Sequence, residues 1–198
     1  MSNIAVDIVL LLPTPVAQMA IELSKALKQP LNDRIDLGTT SSLPHITLAM
    51  AVIKESDLPL VKARLAEIAR KHLPIELNTD GFIAKSSCWL GIAVTDKLLK
   101  LHQEATDFLL SLASGEVTLD VFNTQYGEIE KGTIDWVKDY PSKYAGYYLY
   151  SPHVTLGIGD SADLSISIKE FKATEMALCH IGSHGTCAKV LFSSKGDA

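Results

Sequence analysis

Residues 43–50 read LPHITLAM, and residues 151–159 read SPHVTLGIG. Both stretches carry Pro-His-aliphatic-Thr-Leu in the same frame. Each is short and bounded by turn residues, so each predicts a strand. Residues two apart on a strand share a face. His45, Thr47 and Ala49 are therefore expected to point one way, with Ile46, Leu48 and Met50 pointing the other. His153, Thr155 and Gly157 repeat the pattern against Val154, Leu156 and Ile158. One face is apolar and suits helix packing. The other is polar and then small, which leaves room for a ligand to approach the backbone. One such strand alone describes a packed histidine. Two in matching frames predict a site built twice and brought face to face.

Outward from these strands the pattern is regular. NIAVDIVLLL at 3–12 reads as a buried strand stopped by Pro13. A helix follows, with Thr14 as cap, Pro15 in its first turn, and Val16, Met19, Ala20, Leu23 and Leu27 as its apolar stripe. A second helix runs over 57–72, with Leu58, Val61, Leu65 and Ile68 on one face. Strands are predicted over 74–84 and 88–95, and a third helix starts at Thr95 or Asp96 and ends at Gly115. The segment 116–150 has weak periodicity. FKATEMALCHIG and GTCAKVLFSS then read as a closing hairpin around Ser183, His184 and Gly185. The order predicts one α+β domain over 1–198, in two related halves.

Composition narrows the function. The chain has 198 residues, 47% hydrophobic and 21% charged, the balance of an ordinary soluble protein. A formal net charge of -5 and a pI near 5.6 argue against a surface that tracks long nucleic acid. Three cysteines, Cys88, Cys179 and Cys187, are an odd number without framework spacing, which points to a reducing compartment. The apolar run at 4–12 lacks a basic flank and is interrupted by Asp7, so it does not read as a leader. No stretch reaches the length of a membrane span. A cytoplasmic monomer is expected.

The paired motif carries chemistry. An imidazole exchanges protons near neutrality, and a hydroxyl on the same face donates to an oxyanion. Two facing pairs supply one base, one acid and two donors. That set fits in-line displacement at a phosphodiester, without a metal.

The two H-[IV]-T-L strands resemble the paired His-x-Thr signature of the 2H phosphoesterase superfamily, whose best-known branch is the bacterial RNA 2′,3′-cyclic phosphodiesterase / 2′,5′-RNA ligase. The order of elements is similar over most of the chain. The resemblance implies a bilobed α+β fold, with two antiparallel sheets lining a central cleft and helices outside. It also implies that His45 and His153 transfer protons and that Thr47 and Thr155 bind phosphate. A nucleotide or short RNA end is the implied substrate. No cofactor and no metal are expected. Two alternatives stay open: a phosphodiesterase for a small cyclic nucleotide, dinucleotide or nucleotide-sugar phosphate, and a nucleotide-binding module without turnover.

All six tyrosines fall between Tyr126 and Tyr150, together with Trp136. Because this segment runs into Ser151 and His153, Tyr144, Tyr147, Tyr148 and Tyr150 are candidates for stacking on a base, with a satellite core as the alternative. His72 and His102 read as structural and Trp89 as core. Cys179, His180, His184 and Cys187 are zinc-type residues, but they fall across a tight hairpin and alternate in face, so no metal site is expected. Arg34 and Lys85 could reach the cleft, though nothing in the sequence directs them there.

Overall fold

The computed structural model describes residues 2–30, 34–84, 87–147, 149–159 and 163–196. Two four-stranded antiparallel sheets form its frame. The first has the order β2-β1-β7-β8, built from β1 (Asn3–Leu11), β2 (His45–Lys54), β7 (Glu175–Ile181) and β8 (Cys187–Lys195). The second has the order β5-β4-β3-β6, built from β3 (Ile75–Ala84), β4 (Cys88–Ile92), β5 (His153–Gly157) and β6 (Glu170–Ala173). Each motif strand is thus the edge of its own sheet, and β2 and β5 lie against each other. This is the α+β, two-sheet arrangement expected.

β1 is apolar at both parities because it is flanked by β2 and β7 and covered on both faces; seven of its nine residues are buried. Helix α1 (Thr14–Ala26) buries the anticipated stripe. Its cap is Pro13 rather than Thr14, and no side chain bonds there. Helix α2 (Leu58–His72) buries Val61, Leu65 and Ile68, and helix α3 (Asp96–Ser111) is capped by Thr95, whose hydroxyl accepts from the Leu98 N–H. α1 packs on β5 and α3 on β2, so each helix covers the motif strand of one sheet.

Two expectations change. FKATEMALCHIG is two strands in different sheets, since Ala173 pairs with Ile75 while Glu175 pairs with Leu11. The apolar pattern runs on through Thr174, so nothing local marks the switch. The aperiodic segment holds a helix, α4 (Lys131–Lys143), which buries only Thr133, Val137 and Tyr140 and carries Pro141 inside it. Such a thin stripe, with a breaker, hides a helix from pattern reading.

The cysteines also differ from expectation. Cys179 and Cys187 form a disulfide across β7 and β8, while Cys88 is buried. The cytoplasmic placement drawn from the cysteine pattern loses that support, and these two sulfurs are not open to a metal. Among the described residues no helix is long and apolar enough to cross a membrane.

Candidate active site

The repeat extends to the backbone. Thr47 pairs with Val9 and Ala49 with Ile8, so Leu48 is an extra residue on β2. Thr155 pairs with Trp89 and Gly157 with Cys88, so Leu156 is the same extra residue on β5. Each motif therefore ends in a β-bulge directly after its threonine. The bulge ends the alternation read from the sequence. Past it Ala49 joins the main core with Ile46 and Leu48, while Met50 turns to the cluster under α4. On β2 the bulged carbonyl leaves the ladder, and Leu48 O accepts from the His102 ring at 2.7 Å and from the hydroxyls of Thr106 and Tyr140, each at 3.2 Å. His102 is structural, as expected. His72 pairs with Glu104 at 2.8 Å and ties α2 to α3.

Both imidazoles are set in one way. His45 Nδ1 lies 2.7 Å from Leu43 O, and His153 Nδ1 lies 2.7 Å from Ser151 O. A carbonyl accepts only, so each Nδ1 carries the hydrogen and each Nε2 is left to exchange a proton. His45, Thr47, His153 and Thr155 line one narrow recess. The four residues singled out in the sequence are brought together. Burial lowers the His45 pKa, against the bond to Leu43 O, which raises it. His153 stacks on Trp89, with ring centroids 4.1 Å apart and planes at 16°.

The recess opens into a cleft of about 740 Å³, walled by Ser87, Trp89, Glu130, Trp136, Tyr144 and Tyr150 among others. Trp89, read as core, is instead the platform under His153. Its position across the ladder from Thr155 aims it into the cleft, which β-pairing alone reveals. His184 is a third imidazole on the cleft wall, held by Glu130. Glu130 accepts from Ser183 Oγ at 2.8 Å and from the His184 N–H at 3.0 Å. Burial raises the Glu130 pKa, but these bonds and the His184 charge bring it below its usual value. Gly185 is needed at the tip, with φ +70 and a hypothetical Cβ 2.3 Å from the Trp136 ring. The sequence reading missed Asp7, Glu130 and His184. Asp7 alone carried a signal, as a single charge in an apolar strand.

The stacking candidates separate. Tyr150 lies in the wall, stacked on His102 at 3.8 Å, and its hydroxyl donates to Thr47 O at 3.0 Å. Tyr144 lines the cleft and is 43% exposed. Tyr147 is exposed and outside the cleft lining, and Tyr148 lies outside the described residues. Arg34 pairs with Asp36, and Lys85 is likewise outside the described residues.

Gln29 ties the second bulge to the loop that brings Ile35 to the recess. Its Oε1 accepts from the N–H groups of Ile35 and Ile158, and its Nε2 donates to Ile35 O. A Cβ on Gly157, at φ +152, would sit 2.5 Å from Gln29 Oε1. Gly157→Ala is therefore expected to cost about 1–3 kcal/mol of stability. It should also raise KM, because the displaced amide releases Ile35. Thermal melts and steady-state kinetics check both.

No protein-family model matches the chain, and no curated protein matches it. Solved structures do match over the full length. E. coli LigT complexed with 3′-AMP is 14% identical with a TM-score of 0.60, covering all of both chains. TT0787 of Thermus thermophilus is 15% identical with a TM-score of 0.59, over 98% of this chain and 100% of that one. A protein described as a phosphoesterase is 15% identical with a TM-score of 0.57, over 98% and 99%. At such identity the likeness is one of architecture: the chain has the fold of the 2H phosphoesterases.

Proposed function

We propose that the chain is a metal-independent phosphoesterase that opens a 2′,3′-cyclic phosphate or a 2′,5′-linked nucleotide end by two-histidine acid–base catalysis. One observation carries this: two His-x-Thr strands, each closed by a bulge and each with Nδ1 anchored on a carbonyl, line a single recess. The fold likeness supports it, since LigT has been solved with phosphate, 3′-AMP, ATP and NADP+.

His45 is the general base in this scheme. Its burial favours the neutral ring, whose Nδ1 hydrogen is held by Leu43 O and whose Nε2 is left to accept a proton. His153 is the general acid, since an indole face favours a cation stacked on it. A water or hydroxyl attacks phosphorus as His45 takes its proton, the P–O bond to the leaving oxygen breaks, and His153 delivers a proton to that oxygen. Thr47 and Thr155 donate to the non-bridging oxygens, where charge accumulates. Tyr144 stacks on the base across the cleft.

The test is a panel of cyclic and 2′,5′-linked nucleotides assayed with EDTA present. Turnover should be unaffected by the chelator and bell-shaped in pH. Because His45 must be neutral and its pKa is lowered, the acid limb should lie below the ordinary imidazole value of about 6.5. Activity lost in EDTA and restored by a divalent ion would overturn the scheme. Binding without turnover on every substrate would leave a nucleotide-binding module.

A further inference from the structure

Asp7 sits at the centre of β1 and is 1% exposed. The two-histidine scheme does not use it. Its Oδ2 lies 2.7 Å from Thr47 Oγ1 and 3.6 Å from His45 Nε2. Its Oδ1 is also buried and meets no hydrogen-bond partner among the described residues. A carboxylate wants donors at both oxygens, whereas a carboxylic acid leaves one weak carbonyl-type acceptor, which is far cheaper to bury unpaired.

The surroundings are neutral as well. On β2 lies His45, which burial holds toward its uncharged form. From α4 and from the segment before β5 come the phenols of Tyr140 and Tyr150, both pushed up chiefly by burial and so uncharged. On β7 the residue opposite is Cys179, held in the disulfide. Burial likewise raises the Asp7 pKa well above the usual carboxylate value, against the bond to Thr47.

The ionic form of Asp7 decides what Thr47 can do. With a carboxylate, Thr47 donates its only hydrogen to Oδ2 and has none left for a ligand. With a carboxylic acid the bond reverses. We propose that Asp7 is a positioning residue of the first half-site: as a carboxylic acid it donates from Oδ2 to Thr47 Oγ1, which turns the threonine's own hydrogen toward a non-bridging phosphate oxygen.

The two half-sites are then inequivalent. Asp7 stands two residues before Val9, the ladder partner of Thr47. The corresponding residue in the second sheet is Ser87, two before Trp89, and its hydroxyl accepts from Trp89 Nε1 at 2.5 Å. The acid belongs to the first half alone. It also leaves His45 uncharged, as a base requires, where a carboxylate at 3.6 Å would hold it as imidazolium.

This inference rests on Thr47 holding phosphate, and the test separates the two ideas. Binding of inorganic phosphate is measured by calorimetry for wild type, D7N, D7A, T47V and D7A/T47V, with melting temperatures alongside. D7A should weaken phosphate by up to about tenfold, because without a donor to its Oγ1 the Thr47 hydrogen is no longer aimed at the phosphate. T47V should lose a similar factor, and the double variant no more than either single one. D7N, whose amide N–H can donate to Thr47 Oγ1, should restore most of the affinity. The infrared difference between wild type and D7N should show the carbonyl stretch of a protonated carboxyl. The proposal is overturned if that stretch is absent. It also fails if D7N, folded as wild type, binds as weakly as D7A, or if the two losses multiply in the double variant. A protein that shows the expected pattern but turns over no substrate overturns only the phosphoesterase function. One that binds no phosphate overturns both.

Discussion

His45→Ala and His153→Ala are each expected to lower kcat by about 10²–10⁴-fold while leaving substrate affinity nearly unchanged. Both rings are held by carbonyls two residues back, Leu43 O and Ser151 O, so removing one ring does not disturb the other. The threonines remain to grip the phosphate. The double variant should be little worse than either single one, because base and acid act in one step and losing one already stalls it. Single-turnover rates with separately measured binding check this. A single variant that keeps more than about a tenth of the wild-type rate would show that the histidines do not act as a pair.

The second large effect is on stability. Tyr150→Leu is expected to cost about 2–3 kcal/mol, from the lost stack on His102 and the lost bond to Thr47 O. In a chain of this size that lowers Tm by roughly 5–10 °C. Tyr144→Leu should barely move Tm and should raise KM for nucleotides about tenfold, as the loss of a stacking ring does. If Tyr144→Leu lowers Tm and leaves KM alone, the ring is packing and the base is held elsewhere.

The two motifs were legible because their spacing is local and repeated. Their strands, their meeting and their faces as far as each threonine followed from period two and duplication. The bulges were not legible. Ile46 to Met50 alternates as any strand does, and only pairing with β1 shows Leu48 to be extra. Trp89 and Glu130 escaped for a related reason, since their roles come from partners far along the chain, His153 and His184. Asp7 was visible as an oddity in an apolar run, and it took the ladder to set it beside Thr47. The disulfide was hidden by the odd count, because an eight-residue separation becomes a bond only when β7 and β8 pair.

The strand order has a consequence for how the chain acquires its shape. The first sheet draws β1 and β2 from the beginning of the chain and β7 and β8 from its end, whereas the second is built from the stretch between. Any cut between the two motifs therefore divides the first sheet, so the duplicated site cannot be separated into two self-standing halves. A chain emerging from the ribosome can assemble the second sheet once β6 has appeared, but β1 waits for β7 across almost the full length of the polypeptide. Closing so long a loop is entropically costly and slow. The covering of the second edge of β1, and with it the full enclosure of Asp7, is then among the last events of folding.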